Sequence, residues 1–259
     1  MPVTRSPLLP RPATGRVFST ELRVRLGDVD PSGRLRLDAA ARYLQDVSSD
    51  DTADVDPNDR MMWVVRRTSL EVRQAPTYRE LLAASTWCAG VGSRWAERRV
   101  SLVGDRGGSV EASSLWVCID RASSRPARLP EDFVQRYDVD PDVPRDIEAK
   151  LRLPKRPEGL ATTLWPVRRT DLDALDHMNN AAYWNVVEEL LARRAERPEH
   201  LRGDLEYGAG IDPDDQVEVA SQEDDEGVLT CWLSVGGSIR ATASVHAIDP
   251  DGPDGGAPQ

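Results

Sequence analysis

The chain has 259 residues, one to two domains at about 150 residues per domain, and long enough to bury a core without disulfide or metal staples. Charged residues make up 30% and hydrophobic residues 39%, and 33 Lys+Arg against 44 Asp+Glu leave a formal net charge of −11, the wrong sign for general binding to a phosphate backbone. Three widely spaced cysteines (Cys88, Cys118, Cys231) and three histidines (His177, His200, His246) exclude a C-x-x-C zinc or dithiol centre and leave little for a His-rich metal site. Neither a metal nor a cofactor is therefore expected, and neither nucleic acid nor a membrane is an expected partner. The odd, spaced thiols fit a reducing compartment. With no secretory leader and no apolar stretch long enough to span a bilayer, the cytoplasm is the expected location.

In chain order, residues 1–15 are Pro-rich and expected to be disordered. An extended segment from Phe18 leads to an acidic pair, Asp28 and Asp30. Leu37, Ala40, Ala41, Leu44 and Val47 then recur at helical spacing and mark one buried face. Four strand-like runs follow, Trp63 to Arg73, Leu82 to Val91, Arg94 to Val103 and Ser109 to Ile119, the last two joined by the turn sequence GDRGG. Residues 123–160 are rich in Pro, Asp and Arg and read as a linker with short structured pieces. After it the pattern repeats. Leu164 to Thr170 is extended, Asp171 and Asp173 form the acidic pair, and a helix is predicted from about Asn180 to Arg197. Strands are predicted at Leu201 to Tyr207, Gln216 to Gln222, Val228 to Val235 and Ser238 to Ala247. Both acidic pairs are offset by 143 residues. The repeat predicts two copies of one α+β unit, each a long helix packed on an antiparallel sheet so that each element buries the other's apolar side. The expected boundaries are 16–122 and 161–249, with a disordered tail at 250–259.

Several catalytic signatures are absent: no G-x-S-x-G elbow, no P-loop, no G-x-G-x-x-G after a strand, and no H-E-x-x-H. The informative segment is RRTDLDALDHMNN, from Arg168 to Asn180. Here a strand enters a helix through a polar turn that carries Asp171, Asp173, Asp176, His177, Asn179 and Asn180. Asn179 or Asn180 is a natural cap for the helix. First-turn amides and the helix dipole could hold a carbonyl oxygen as it becomes an oxyanion, a nearby carboxylate could activate water, and His177 could orient water or substrate near neutral pH. Asp and Asn also gather before helices merely to cap them. Asp28 and Asp30, followed by Pro31-Ser-Gly33-Arg34 with no His, read as a structural turn in a degenerate copy. Glu188 and Glu189 read as a solvated helix face, and Trp63, Trp87, Trp116 and Trp232 as mostly core.

The run Asp171-Leu-Asp173-Ala-Leu-Asp176-His177-Met-Asn179-Asn180 resembles the D-x-D-x-x-x-H-V-N-N signature of hotdog-fold thioesterases. With Trp63-Val-Val-Arg66, Pro76-Thr-Tyr78, Thr86-Trp87, Ser114-Leu-Trp116-Val117 and Leu205-Glu-Tyr207 in order, the chain is similar to the acyl-(acyl carrier protein) thioesterases of plants and bacteria, over roughly residues 18–248. That resemblance implies a tandem hotdog fold and hydrolysis of a fatty acyl thioester carried by acyl carrier protein or coenzyme A. Two hotdogs in one chain already supply the pair in which this unit usually occurs, and a homodimer of the tandem chain is a further expectation. In the family's Asp-x-Asn-x-His run, Asp173 and His177 match, while Leu175 stands at the Asn. The Glu that plant enzymes place a few residues beyond L-E-Y is missing from Gly208-Ala-Gly-Ile211. Asp176 stands where coenzyme A thioesterases carry Gly.

The expected site residues are Asp173 as the carboxylate that activates water, His177 and Asn179 as polarising or orienting groups, and Asn180 with first-turn amides as cap and oxyanion site. An anionic carrier needs cations, for which Arg66, Arg67, Arg94, Arg98, Arg99, Arg168, Arg169, Arg193 and Arg194 are candidates. Two rival readings are a hotdog dehydratase or hydratase, against which stands the lack of a Pro between Asp173 and His177, and a non-catalytic acyl-binding hotdog protein, which the missing Asn and Glu leave open.

Overall fold

A computed structural model describes residues 14–55, 62–120, 125–139 and 150–249, with 8, 11 and 123. The expected disorder of 1–15 and 250–259 falls almost wholly outside the described residues, as does the middle of the expected linker. Among the described residues ten strands form one antiparallel sheet: β1 (Phe18–Arg23), β2 (Met62–Gln74), β3 (Leu81–Val91), β4 (Trp95–Gly104), β5 (Ser109–Ile119), β6 (Thr163–Trp165), β7 (Leu201–Tyr207), β8 (Val217–Glu223), β9 (Leu229–Val235) and β10 (Ser238–Ala247). The helices are α1 (Leu37–Val55), α2 (Phe133–Arg136) and α3 (Tyr183–Ala192).

The strand order β1-β3-β4-β5-β2-β7-β10-β9-β8-β6 reads as the same five-strand unit twice, the second reversed. The halves meet where β2 and β7 pair antiparallel, from Arg67 opposite Glu206 to Val72 opposite Leu201. This is the α+β layering expected from the repeat. The offset of 143 holds in detail. A 3-10 turn at Leu26–Asp28 matches one at Arg169–Asp171, and the isolated bridge Val29 to Leu35 matches Leu172 to Met178.

Helices α1 and α3 touch each other, and their buried faces share one apolar cluster with both halves of the sheet, including Leu44, Val47, Leu70, Leu102, Val187, Leu205 and Leu233. A second cluster forms where α2 of the linker lays Phe133 and Tyr137 beside Trp63, Cys88 and Cys118. All three cysteines are buried and free. Trp87 and Trp232 are core residues as predicted, whereas Trp63 and Trp116 are only half-buried. The hairpin between β9 and β10 turns through Gly236 and Gly237, both at positive φ (54° and 79°), the two-residue geometry that matches strand twist and that glycine adopts without strain.

Two predicted elements end earlier than expected. The second helix runs only from Tyr183 to Ala192, because Arg193 and Arg194 close its last turn onto Leu190 and Leu191. The extended segment 164–170 is a three-residue strand followed by the 3-10 turn. Glu188 is also not a solvated residue: it is 8% exposed and reaches across to the other half, while Glu189 does face solvent.

Candidate active site at the entry to the second long helix

The turn that leads into α3 is held by its own carboxylates. Asp171 is buried and accepts the Arg168 N–H at 2.8 Å, while its carbonyl accepts Asn179 N–H at 2.8 Å. It is therefore the structural member of the pair, the counterpart of Asp28, which accepts the Arg25 N–H at 3.0 Å. Asp173 opens a tight loop: its N–H donates to the His177 carbonyl at 2.9 Å and its Oδ1 accepts Leu175 N–H at 2.8 Å, an Asx turn. Leu175 is exposed at the loop tip. Asp176 takes φ 59° where the first half has Gly33 at φ 86°. Aspartate is among the few residues other than glycine that enter this region readily, so the loop keeps its shape without the glycine.

Asn179 Oδ1 accepts Ala181 N–H at 2.8 Å. Of the two capping candidates, Asn179 and Asn180, it is Asn179 that closes the turn entering α3, its side chain reaching the amide two residues on. Asn180 contributes its backbone. Its carbonyl accepts the Tyr207 hydroxyl at 3.2 Å, and its N–H has no acceptor among the described residues. Tyr207 also accepts the Trp184 indole N–H at 3.2 Å. Burial pushes the Tyr207 phenol up to about 12, against the lowering effect of hydrogen bonds from Thr68 and Trp184, so it stays a neutral donor at ordinary pH.

Asn180 lies at a small cleft between the halves, lined also by Ala41 and Gln45 of α1, Thr68 of β2, Trp116 of β5 and Tyr207 of β7. Asp173 and His177 lie in the preceding loop rather than in this lining. His177 is half-exposed, with Nε2 3.4 Å from Asp212 Oδ1. A Cβ at Gly210 would meet the His177 ring at 3.5 Å, an ordinary van der Waals contact, so the Gly210 backbone lies directly beside the imidazole. The segment carrying Gly210 and Asp212 is pinned to the site through Ile211, whose carbonyl accepts Met178 N–H at 2.9 Å and whose backbone N–H donates to the Tyr183 hydroxyl. Burial raises the Tyr183 phenol well above its ordinary range.

Sequence reasoning missed Asp212, Gln45 and the role of the Tyr207 hydroxyl. The acidic run Asp212-Pro-Asp214-Asp215 after the glycines is the signal that could have found Asp212. Glu206 is held by other partners. It pairs with Arg67 at 2.7 Å and accepts the Arg152 and Leu153 amides, clamping the linker to the sheet.

The candidate carrier-binding arginines are mostly committed. Arg99 is buried at 1% exposure, and burial lowers it to about 10 against the raising effect of Glu97, Glu111 and Glu71. It cannot dock a partner. Arg98 pairs with Asp51, Arg193 with Glu189 and Arg194 with Glu223, and Arg66 donates to the Gly208 carbonyl at 2.7 Å. Arg94 and Arg169 are exposed, and Arg168 is 60% exposed though paired with Asp171. Arg168 and Arg169 lie at the foot of the site loop. No group of His, Cys, Asp and Glu among the described residues is arranged to hold a metal.

Comparison with known proteins gives a consistent picture. The model of the Acyl-ACP thioesterase N-terminal domain matches residues 15–137, and that of the Acyl-ACP thioesterase C-terminal domain matches residues 155–246. An uncharacterized protein of Mycobacterium tuberculosis is 31% identical over 249 residues, covering 93% of this chain and 96% of its own length. The chloroplastic oleoyl-acyl carrier protein thioesterase of Coriandrum sativum is 26% identical over 73% of this chain and 54% of its own length. Among solved structures, the 12:0-ACP thioesterase of Umbellularia californica superposes with a TM-score of 0.75 at 21% identity, covering 91% of this chain and 98% of its own. An acyl-ACP thioesterase from Bacteroides thetaiotaomicron gives 0.75 at 20% identity, covering 88% and 96%. These two likenesses bear on the fold.

Proposed function

Because the chain belongs to the acyl-ACP thioesterase family, we propose that it hydrolyses fatty acyl thioesters at the entry to α3, with the acyl chain in the cleft beside α1. The observation that carries this reading is the Asn180 N–H, a hydrogen-bond donor with no acceptor among the described residues, at the cleft and one loop away from a carboxylate and an imidazole.

The Asp173 carboxylate takes a proton from water as the water oxygen bonds to the thioester carbon. The carbonyl π pair moves onto oxygen, and the Asn180 N–H, at the positive end of α3, stabilises that charge. Collapse of the intermediate breaks the C–S bond. The thiolate leaves with the proton returned from Asp173, giving free fatty acid and carrier thiol. His177, held between Gly210 and Asp212, orients the water or the carbonyl. Asn179 keeps its Nδ2 for the substrate while its Oδ1 holds the turn. Acyl carrier protein is the preferred carrier, docking its acidic surface on exposed cations such as Arg168 and Arg169.

The working units are the hotdogs at 16–122 and 161–249, joined by 123–160, in a cytoplasmic enzyme that needs no cofactor; a homodimer of the tandem chain is part of the same proposal. No helix among the described residues is long and apolar enough to cross a membrane.

The test is a free-thiol assay with acyl-carrier-protein and coenzyme A thioesters of varied chain length. Thiol release is the expected result. Hydration of an enoyl thioester without thiol release makes the protein a lyase, and tight binding without turnover makes it an acyl sensor. Either overturns the proposal.

A further inference from the structure

Helices α1 and α3 lie so that the body of one approaches the start of the other. Glu188 of α3 shows what this achieves. Its Oε1 accepts the Leu37 N–H at the start of α1 at 2.5 Å, and Arg197 holds the carboxylate through contacts of 2.5 and 3.0 Å. The protein thus places a carboxylate oxygen of its own on the first amide of α1.

Shifted by the repeat of 143, Leu37 becomes Asn180, Glu188 becomes Gln45 and Arg197 becomes Asp54. The arrangement at Asn180 is different. Among the described residues its N–H has no acceptor, and Gln45, in the same cleft lining, makes no side-chain hydrogen bond. A Glu at 45 would carry the charge that occupies the equivalent amide in the other half, with Asp54 in place of the neutralising arginine. A Gln has the same reach but presents two N–H donors.

We infer that Gln45 is the second donor of the oxyanion site. Its Nε2 amide and the Asn180 N–H together hold the thioester carbonyl oxygen, at the position equivalent to that of Glu188 Oε1 on Leu37. The inference rests on the hydrolytic reading above and adds a catalytic residue from the half of the chain that lacks the Asp-His motif. One half supplies water activation, and the other supplies a polarising group.

The experiment compares wild type, Gln45→Met and Gln45→Glu by steady-state kinetics on acyl-carrier-protein thioesters from pH 5 to 9, with thermal melting of each variant as a check on folding. Loss of one oxyanion donor costs on the order of 100-fold in kcat, so Gln45→Met should fall by that amount with KM little changed. Gln45→Glu should be at least as impaired at neutral pH and recover as acidification neutralises the new carboxylate. A folded Gln45→Met within threefold of wild type overturns the inference, as does a Gln45→Glu that is fully active at pH 8. The second outcome decides if the Met variant does not fold. A wild type that releases no thiol from any substrate overturns the hydrolytic reading itself, and the two failures are thereby distinct.

Discussion

Ala41 of α1 and Trp184 of α3 occupy the same position in the two halves, 143 residues apart, and the space beside the two helices differs accordingly. Trp184 is fully buried, and its ring comes within 2.8 Å of where a Cβ on Gly203 would stand. It fills the space between α3 and β7. In the first half the small side chain of Ala41 leaves the corresponding space open as part of the cleft.

Enlarging Ala41 should therefore shorten the acyl chain the enzyme accepts. Ala41→Phe is expected to lower kcat/KM for long-chain thioesters on the order of tenfold or more relative to short ones, since each methylene excluded from an apolar pocket costs about 1–3 kcal/mol. A chain-length series checks this, and an unchanged profile would place the acyl chain elsewhere.

Asp173→Asn isolates chemistry from folding. An Asn side chain can accept Leu175 N–H as Asp173 does, so the loop should persist and the melting temperature should stay within a few degrees. The variant cannot take a proton from water, and kcat should fall by about 10² to 10⁴. Asp173→Ala should be equally inactive. Near wild-type turnover in either variant would show that the base is another group.

Two substitutions test how His177 is held. Valine at position 210 would add branches beyond a Cβ already 3.5 Å from the imidazole; Gly210→Val should displace the ring and cut kcat, whereas Gly210→Ala should be tolerated. Asp212→Asn should cost only a few-fold, because both partners of the His177–Asp212 pair are more than half exposed and such pairs contribute about 0–1 kcal/mol. High salt should abolish the difference between Asp212→Asn and wild type. A salt-independent loss would mean that Asp212 acts directly on the substrate.

What the sequence makes legible, and what it hides, follows from the range of each interaction. The loop from Asp171 to Asn180 is closed by contacts between residues two to eight apart, so its residue types and spacing read directly as a polar entry to a helix. The alternation and turn glycines of β4–β5 and β9–β10 are local for the same reason. Glu188 is the opposite case. Its partner Leu37 is 151 residues away, and on α3 alone it looks like any acid next to Glu189. Gln45 and Asp212 are hidden likewise, because their meaning comes from the docking of α1 on α3 and of the 208–212 segment on His177. The repeat was visible in the sequence, but not that Glu188 of the second copy would reach the start of the first copy's helix.

The degenerate first copy of the acidic pair should report in stability rather than in turnover. Burial alone would raise the Asp28 carboxyl, but hydrogen bonds from the Tyr43 hydroxyl (2.7 Å), the Arg25 N–H (3.0 Å) and Arg42 (3.1 Å) outweigh it and hold it below the ordinary aspartate value of 3.8. A carboxyl lowered in the folded state stabilises the fold above its unfolded value, and that stability is lost as pH falls through the lower folded value. Asp28→Asn should thus cost about 1.5–3 kcal/mol at pH 7, the range for hydrogen bonds to a charged group. The gap between variant and wild type should narrow as pH drops below 3.8, and kcat of the folded variant should be near that of wild type. Chemical denaturation at pH 7 and at pH 3 measures the gap. A gap that does not change with pH would assign the loss to shape rather than charge, and a kcat loss as large as that of Asp173→Asn would mean that the first copy is a working site after all.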